Sequence, residues 1–295
     1  MSIQLNRLSK AFGPGKGIFD LSLEVREGEV FGYLGPNGAG KSTTIRHLMG
    51  FMKPSGGSAS IRKLDCWSKS AEIQQFVGYL PGEIAFVEGL NGSEMLDLLG
   101  GMRKMRSTSK RKQLIDRFQF DVKTPIKKMS KGMKQKVGIV AAFMHDPDIL
   151  ILDEPTSGLD PLMQSEFIRL ILEEKARGKT IFMSSHLFEE IERTCDTVGI
   201  IKDGRLVAIE NIHSLQSSRQ KMFSVTVKSQ DDVQQLQQSG LHITAVQELT
   251  VTIEVQGDYE ALVQALARCG IANISIRQQS LEEMFMDYYD RGMTK

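Results

Sequence analysis

The run "YLGPNGAGKSTT" at residues 33–44 puts Gly35, Gly38 and Gly40 into one short turn and follows them with Lys41 and Ser42. A turn that only reverses the chain needs one glycine. Three of them remove the Cβ atoms from a whole loop and let its backbone close around a guest. The spacing is G-x-x-x-x-G-K-[ST], the pattern that cradles a nucleoside triphosphate, and it stands in the context this chemistry needs. "EVFGYL" before it is dense and apolar, as in a buried strand. "KSTTIRHLMG" after it carries Ile45, Leu48 and Met49 at helical spacing and stops at Gly50. The candidate nucleotide-binding residues are therefore Gly35, Pro36, Asn37, Gly38, Ala39, Gly40, Lys41, Ser42 and Thr43. Loop N–H groups and the start of the helix face the phosphates, Lys41 adds a full charge at the β and γ positions, and Ser42 offers its hydroxyl to Mg2+.

A triphosphate hydrolase also needs a carboxylate at the end of a neighbouring buried strand. "ILILDEP" supplies Asp153 after four apolar residues, placed for Mg2+, and Glu154 beside it, placed to orient and polarise the attacking water. The rest of the pattern fits strands alternating with helices. Ile3 and Leu5, then Leu21, Leu23 and Val25, alternate as in antiparallel strands; residues 83–144 are helical in pattern; and a helix from Met163 to Ala176 precedes the strand "TIFMSS". "TVGIIKDGRLVAIE" reads as a hairpin turned at Asp203 and Gly204. The fold expected is α/β, a P-loop NTPase with a mixed central sheet and a helical subdomain over about residues 83–144.

Composition shifts at "NIHSLQSSRQK", residues 211–221, which reads as a linker. It separates a nucleotide-binding domain over residues 1–215 from a small α+β domain over 221–295. In that second part Phe223, Val225 and Val227, then Val251, Ile253 and Val255, then Ile274 and Ile276 alternate around two helical stretches, an order resembling a ferredoxin-like fold. A closing helix with Leu281, Met284, Phe285 and Tyr288 on one stripe completes it, as core packing or as a subunit contact.

The formal charge is +1 in 295 residues, which provides no electrostatic grip on nucleic acid or anionic lipid. Three scattered cysteines argue against a disulfide framework or a clustered zinc site and for a reducing compartment, hence the cytoplasm. No run reaches the roughly 18 apolar residues of a membrane span and no apolar leader opens the sequence, so membrane contact is expected only through a protein partner.

"MSKGMKQK" (residues 129–136) stands shortly before "DILILDEPTSGLDP", and "SSH" (184–186) follows it. With this ordered set the chain, over residues 3–210, resembles an ATP-binding cassette (ABC) transporter ATPase subunit. The resemblance implies ATP and Mg2+ as ligands and a head-to-tail pair of such domains, a homodimer or a pair of different ATPases, on the cytoplasmic face of an integral-membrane permease. It implies that Ser130, Gly132 and Met133 face the nucleotide of the opposite subunit, that His186, two residues beyond a strand beside the Asp153 strand, touches the γ-phosphate, and that Asp160 contacts the partner. It implies that Phe12 stacks on adenine. From the residues alone, "SKG" is an ordinary helix N-cap, Asp160 a turn residue before Pro161, and Phe12 a core residue.

The sequence departs from that pattern in two places. Gly82 stands where the family usually carries a magnesium-touching glutamine, leaving Glu83 as a candidate replacement; Met129, Lys131 and Met133 stand for leucine, glycine and glutamine, and Lys131 reads as a solvated helix charge or an added phosphate contact. These variants, with the appended C-terminal part, resemble the drug- and antibiotic-exporter branch. The rival readings are a cassette ATPase acting on a non-membrane partner such as a ribosome or DNA, and a small-molecule P-loop kinase. Against them, no heptad tract separates the nucleotide motifs, only one cassette is present, and "SKGM" and "SGLD" are both there.

Overall fold

The computed structural model describes residues 1–217, 221–255 and 259–278. The chain divides into two compact units, Met1–Ile212 and His213–Lys295.

In the first unit, β1 (Ile3–Gly13) and β2 (Lys16–Val25) pair antiparallel, with Ile3 opposite Val25 and Leu5 opposite Leu23. Their alternation buries Ile3, Leu5, Leu8, Leu21, Leu23 and Val25 on one face. Then β3 (Val30–Leu34) runs into the glycine turn and α1 (Lys41–Leu48) leaves it. Gly50, at φ +68°, lies just past that helix. Next come β4 (Gly56–Ile61), β5 (Leu64–Asp65), α2 (Ser70–Phe76) and β6 (Val77–Leu80).

The middle third is helical, as its pattern predicts: α3 (Gly92–Met102), α4 (Ser109–Phe118) and α5 (Lys131–Phe143). Asn91 opens α3 in a reciprocal cap: its Oδ1 accepts the Glu94 N–H at 3.0 Å while Glu94 Oε2 accepts the Asn91 N–H at 2.8 Å. After it follow β7 (Ile149–Asp153), α6 (Pro161–Ala176), β8 (Thr180–Ser185), α7 (Phe188–Thr194), β9 (Thr197–Lys202) and β10 (Arg205–Asn211).

These strands form two sheets. The first has the order β2-β1-β4-β5 and the second β10-β9-β3-β8-β7-β6, parallel from β9 to β6 and closed at one edge by antiparallel β10. The central strands β3, β7 and β8 are buried throughout, as their unbroken apolar runs require. Asp203 and Gly204, both at positive φ, make the two-residue turn of the β9–β10 hairpin. Phe182 lies between Phe31, stacked at 5.6 Å, and Tyr33, at 5.3 Å, with no exposure. Phe182→Ala is expected to cost about 3–5 kcal/mol, read as a lower urea midpoint for the transition of this unit.

Residues 211–221 are not a plain linker: Asn211 ends β10, and α8 (Ile212–Ser217) follows, with Ile212 and Leu215 buried. Polar neighbours hid two apolar residues one helical turn apart. The second unit continues as β11 (Lys221–Val227), α9 (Gln230–Gln237), β12 (His242–Gln247), β13 (Thr250–Val255), α10 (Glu260–Leu266) and β14 (Ile271–Gln278). The sheet order is β12-β13-β11-β14, with every pair antiparallel, the β-α-β-β-α-β connection of a ferredoxin-like motif. Phe223, Val225, Val227, Val251, Ile253 and Val255 pack with Val233, Leu236 and Leu262 of its two helices. The expected closing stripe of Leu281, Met284, Phe285 and Tyr288 lies outside the described residues.

Candidate nucleotide site

The glycine loop needs its glycines for two separate reasons. Gly38 and Gly40 take φ of +82° and +109°, and a Cβ on Gly35 would meet the Ile201 carbonyl oxygen at 2.4 Å. The β9–β10 turn supports the loop from below: the Gly204 N–H donates to the Ala39 carbonyl at 3.0 Å, and the Phe19 N–H to the Gly204 carbonyl at 2.8 Å. Pro36, Asn37 and Gly38 are exposed at the tip, Ser42 is exposed and Thr43 half-buried on the first turn of α1, and Gly40 precedes that turn with no side-chain cap. Lys41, only 5% exposed, turns back under the loop and donates from Nζ to the carbonyls of Gly35 at 2.7 Å and Pro36 at 3.1 Å.

Asp153, 3% exposed, ends β7 beside Ser184 of β8. The Ser184 hydroxyl donates to Asp153 Oδ1 at 2.5 Å, and the Glu154 N–H donates to the Ser184 carbonyl and hydroxyl oxygens at 3.2 and 3.0 Å. Ser184 therefore fixes both acids. Its role is not visible in the local sequence, because the β7–β8 register that aligns the two residues is a long-range property. Glu154 sits at φ +48°, a conformation unusual for a residue with a side chain. That turn brings its carboxylate back over the loop, with Oε1 at 3.2 Å from Lys41 Nζ and Oε2 at 3.5 Å from His186 Nδ1. The Glu154 carboxylate thus gathers Lys41 and His186, the two other residues expected to act on the reacting phosphate. His186 follows directly on β8, which extends through Ser185, rather than standing two residues beyond it.

Gly82 lies against the acid pair: a Cβ there would stand 3.1 Å from Asp153 Oδ2. Backbone fills the place beside Asp153. Glu83 is exposed, and among the described residues none of its hydrogen bonds or ion pairs reaches Asp153 or Ser42. Asp153 and Ser42, one carboxylate and one hydroxyl on elements that lie side by side, are the donor set that suits Mg2+, which binds through one or two carboxylates and the substrate's phosphates.

The segment after Glu154 is tied to α5. Gln135, buried on that helix, donates from Nε2 to the Pro155 carbonyl at 2.7 Å, and Lys131 Nζ donates to Ser157 Oγ at 3.0 Å. Gly132 lies so close that a Cβ would stand 2.7 Å from the Gly158 carbonyl oxygen. Ser130 caps α5, its Oγ accepting the Met133 N–H at 3.2 Å, and remains exposed. The structure thus brings Lys131 and Gly132 to residues 157–158, and none of the described hydrogen bonds of Ser130, Gly132 or Met133 runs to the glycine loop of the same chain. Asp160 caps α6 by accepting the Met163 N–H at 3.0 Å, with Pro161 in the first turn. Phe12, near the end of β1, is 56% exposed, so it is not a core residue.

Comparison with known proteins agrees with this geometry. Residues 18–157 match the family model described as ABC transporter. The chain is 35% identical to an uncharacterized ABC transporter ATP-binding protein of Nostoc sp., over 92% of this chain and 83% of that protein. It is 36% identical to the bacitracin transport ATP-binding protein BcrA of Bacillus licheniformis, over 78% of this chain and 76% of that one. A solved structure, an ATP-binding subunit of an ABC transporter, superposes with a TM-score of 0.66 at 32% identity, covering 73% of this chain and 92% of that one. The chain belongs to the ATP-binding proteins of ABC transporters, ATPases whose hydrolysis of ATP powers transport.

Proposed function

We propose that this subunit energises export through a separate integral-membrane permease, working at the cytoplasmic face as one of two cassettes that close on ATP. The observation that carries the reading is the single carboxylate of Glu154, held between Lys41 and His186 at the mouth of the glycine loop. In this reading the loop and Lys41 hold the phosphates, Glu154 takes the proton of the attacking water, and His186 steadies the γ-phosphate. Ser42 and Asp153 would hold Mg2+, which would supply charge neutralisation at the transferring phosphoryl group. Phe12 stacks on the base. Ser130, Gly132 and Met133, exposed or half-buried at the start of α5, offer a capped helix start to the nucleotide of the opposing cassette.

A transport role is supported by the relative named as a bacitracin transport protein. No helix among the described residues is long and apolar enough to cross a membrane. The test is recovery of the protein from washed membranes. Retention is expected only when a permease is co-expressed, with that permease co-purifying as an integral-membrane chain; sedimentation with ribosomes instead would overturn the reading.

A further inference from the structure

Helix α7, which starts two residues after His186, carries one acid inside the protein. Glu190 is 4% exposed, whereas Glu189 beside it faces solvent, 3.6 Å from Arg193. Among the described residues no cation lies within ion-pairing distance of Glu190. The Ser185 hydroxyl donates to its Oε2 at 2.5 Å, and its Oε1 is buried with no hydrogen-bond partner. An ionised carboxylate with four acceptor sites does not sit comfortably in such a place. Its pKa is raised to about 7, chiefly by burial, with the Ser185 and Thr156 hydroxyls pulling the other way and the charge of Glu154 adding to the rise.

The neighbours give that buried carboxyl a task. Ser185 Oγ also accepts the Leu187 N–H at 2.9 Å, so it organises the turn that displays His186. Thr156 stands two residues after Glu154. Glu190 therefore lies beneath the two segments that bring Glu154 and His186 within 3.5 Å of each other. The charged groups around it are few. β8 brings none and β3 only Tyr33, whose phenol burial keeps neutral; α6 brings Lys175, which is engaged by Asp196 at 2.6 Å, and Glu174, engaged by Lys110 and Arg177. Just past the end of its own helix stands Cys195, a thiol that burial pushes up to about 12. Among the described residues, Glu154 is thus the charge from the loops that bears on it.

We propose that Glu190 is a positioning residue: as a neutral carboxyl it pins the His186 turn, through Ser185, against the segment that follows Glu154, and its ionisation loosens that join. The proposal rests on the ATPase reading above. An ionised Glu190 would place a second negative charge near Glu154 in a dry region, so α7 shifts to hydrate it and His186 moves with the helix. The site is then less well assembled as pH rises past neutrality.

Two variants of the whole protein test this. Glu190→Gln keeps the shape and the acceptor for Ser185 but cannot ionise; Glu190→Ala removes the join. ATP hydrolysis by the unsubstituted protein is expected to fall along a limb centred near pH 7, and E190Q to lose that limb and exceed the unsubstituted rate about threefold at pH 8. E190A is expected to lower kcat about tenfold at pH 6 with KM for ATP changed less than twofold, and E190Q to restore most of that loss. The same limb in E190Q, or an E190A effect confined to KM, overturns the proposal. Thermal melting reads the same charge without turnover. A carboxyl whose folded-state pKa lies above its ordinary value of 4.5 contributes fully at low pH and loses that contribution as pH rises towards 7. The Tm of E190Q relative to the unsubstituted protein should climb between pH 4.5 and 7 and then level off; a flat difference overturns the proposal. Failure of the unsubstituted protein to hydrolyse ATP would instead sink the ATPase reading and leave the melting result to speak for Glu190.

Discussion

Glu154→Gln should stop turnover and keep ATP. The substitution preserves the length and shape of a side chain whose Oε1 sits 3.2 Å from Lys41 Nζ and whose Oε2 sits 3.5 Å from His186. The amide oxygen can still accept from Lys41, so the loop keeps its form. What is lost is the proton acceptor, and general-base groups contribute about 10²- to 10⁴-fold to rate. A negative charge facing the phosphate tail is lost as well, which relieves repulsion and favours a bound state. The expected result is phosphate release at least about a hundredfold slower, with ATP affinity equal or tighter. Size-exclusion chromatography with ATP should then show a lasting dimer, because the reaction that separates the two cassettes no longer runs. Turnover at the unsubstituted rate would remove Glu154 from the role of base; loss of ATP binding would mean that its pairing with Lys41 is structural.

The parts of this site legible in the sequence are those whose chemistry is contiguous. The glycine loop, the Asp153–Glu154 pair and the cap at Ser130 each need residues within a few positions of one another, so spacing alone carries them. The parts that were not legible depend on which strand lies beside which. Ser184 fixes both acids only because β7 and β8 pair with Asp153 opposite Ser184, and Gln135 reaches Pro155 only because α5 packs beside that loop. Lys131 reads as a solvated helix charge, and it is exposed, yet its ammonium also finds Ser157. The strand β12 escaped notice for a different reason: it lies at a sheet edge with most of its side chains exposed, so "HITAVQ" shows little of the alternation that revealed β11 and β13.

Lys41→Ala should fail one step earlier than Glu154→Gln, and the contrast between the two separates binding from chemistry. The Lys41 ammonium is held at 5% exposure by the Gly35 and Pro36 carbonyls and the Glu154 carboxylate, three acceptors that match its three N–H donors, so a phosphate oxygen would take the place of one of them. Without it, the loop still offers N–H groups, but the triphosphate meets the Glu154 charge with no cation between them. Charged hydrogen bonds of this kind contribute about 1.5–3 kcal/mol each, so ATP affinity is expected to fall on the order of 10²-fold, measured by calorimetry, and hydrolysis with it. Arginine is not a substitute. Its planar fork is too broad to turn back under a loop closed by Gly35 against the Ile201 carbonyl, so Lys41→Arg should bind ATP almost as poorly as the alanine variant. Thermal melting without nucleotide provides the control. Lys41 opens α1 at the rim of the glycine loop rather than standing in the Phe31–Phe182 stack, so both variants should melt within a few degrees of the unsubstituted protein. If Lys41→Ala bound ATP normally, the cradle of the glycine loop would owe its affinity to backbone N–H groups alone.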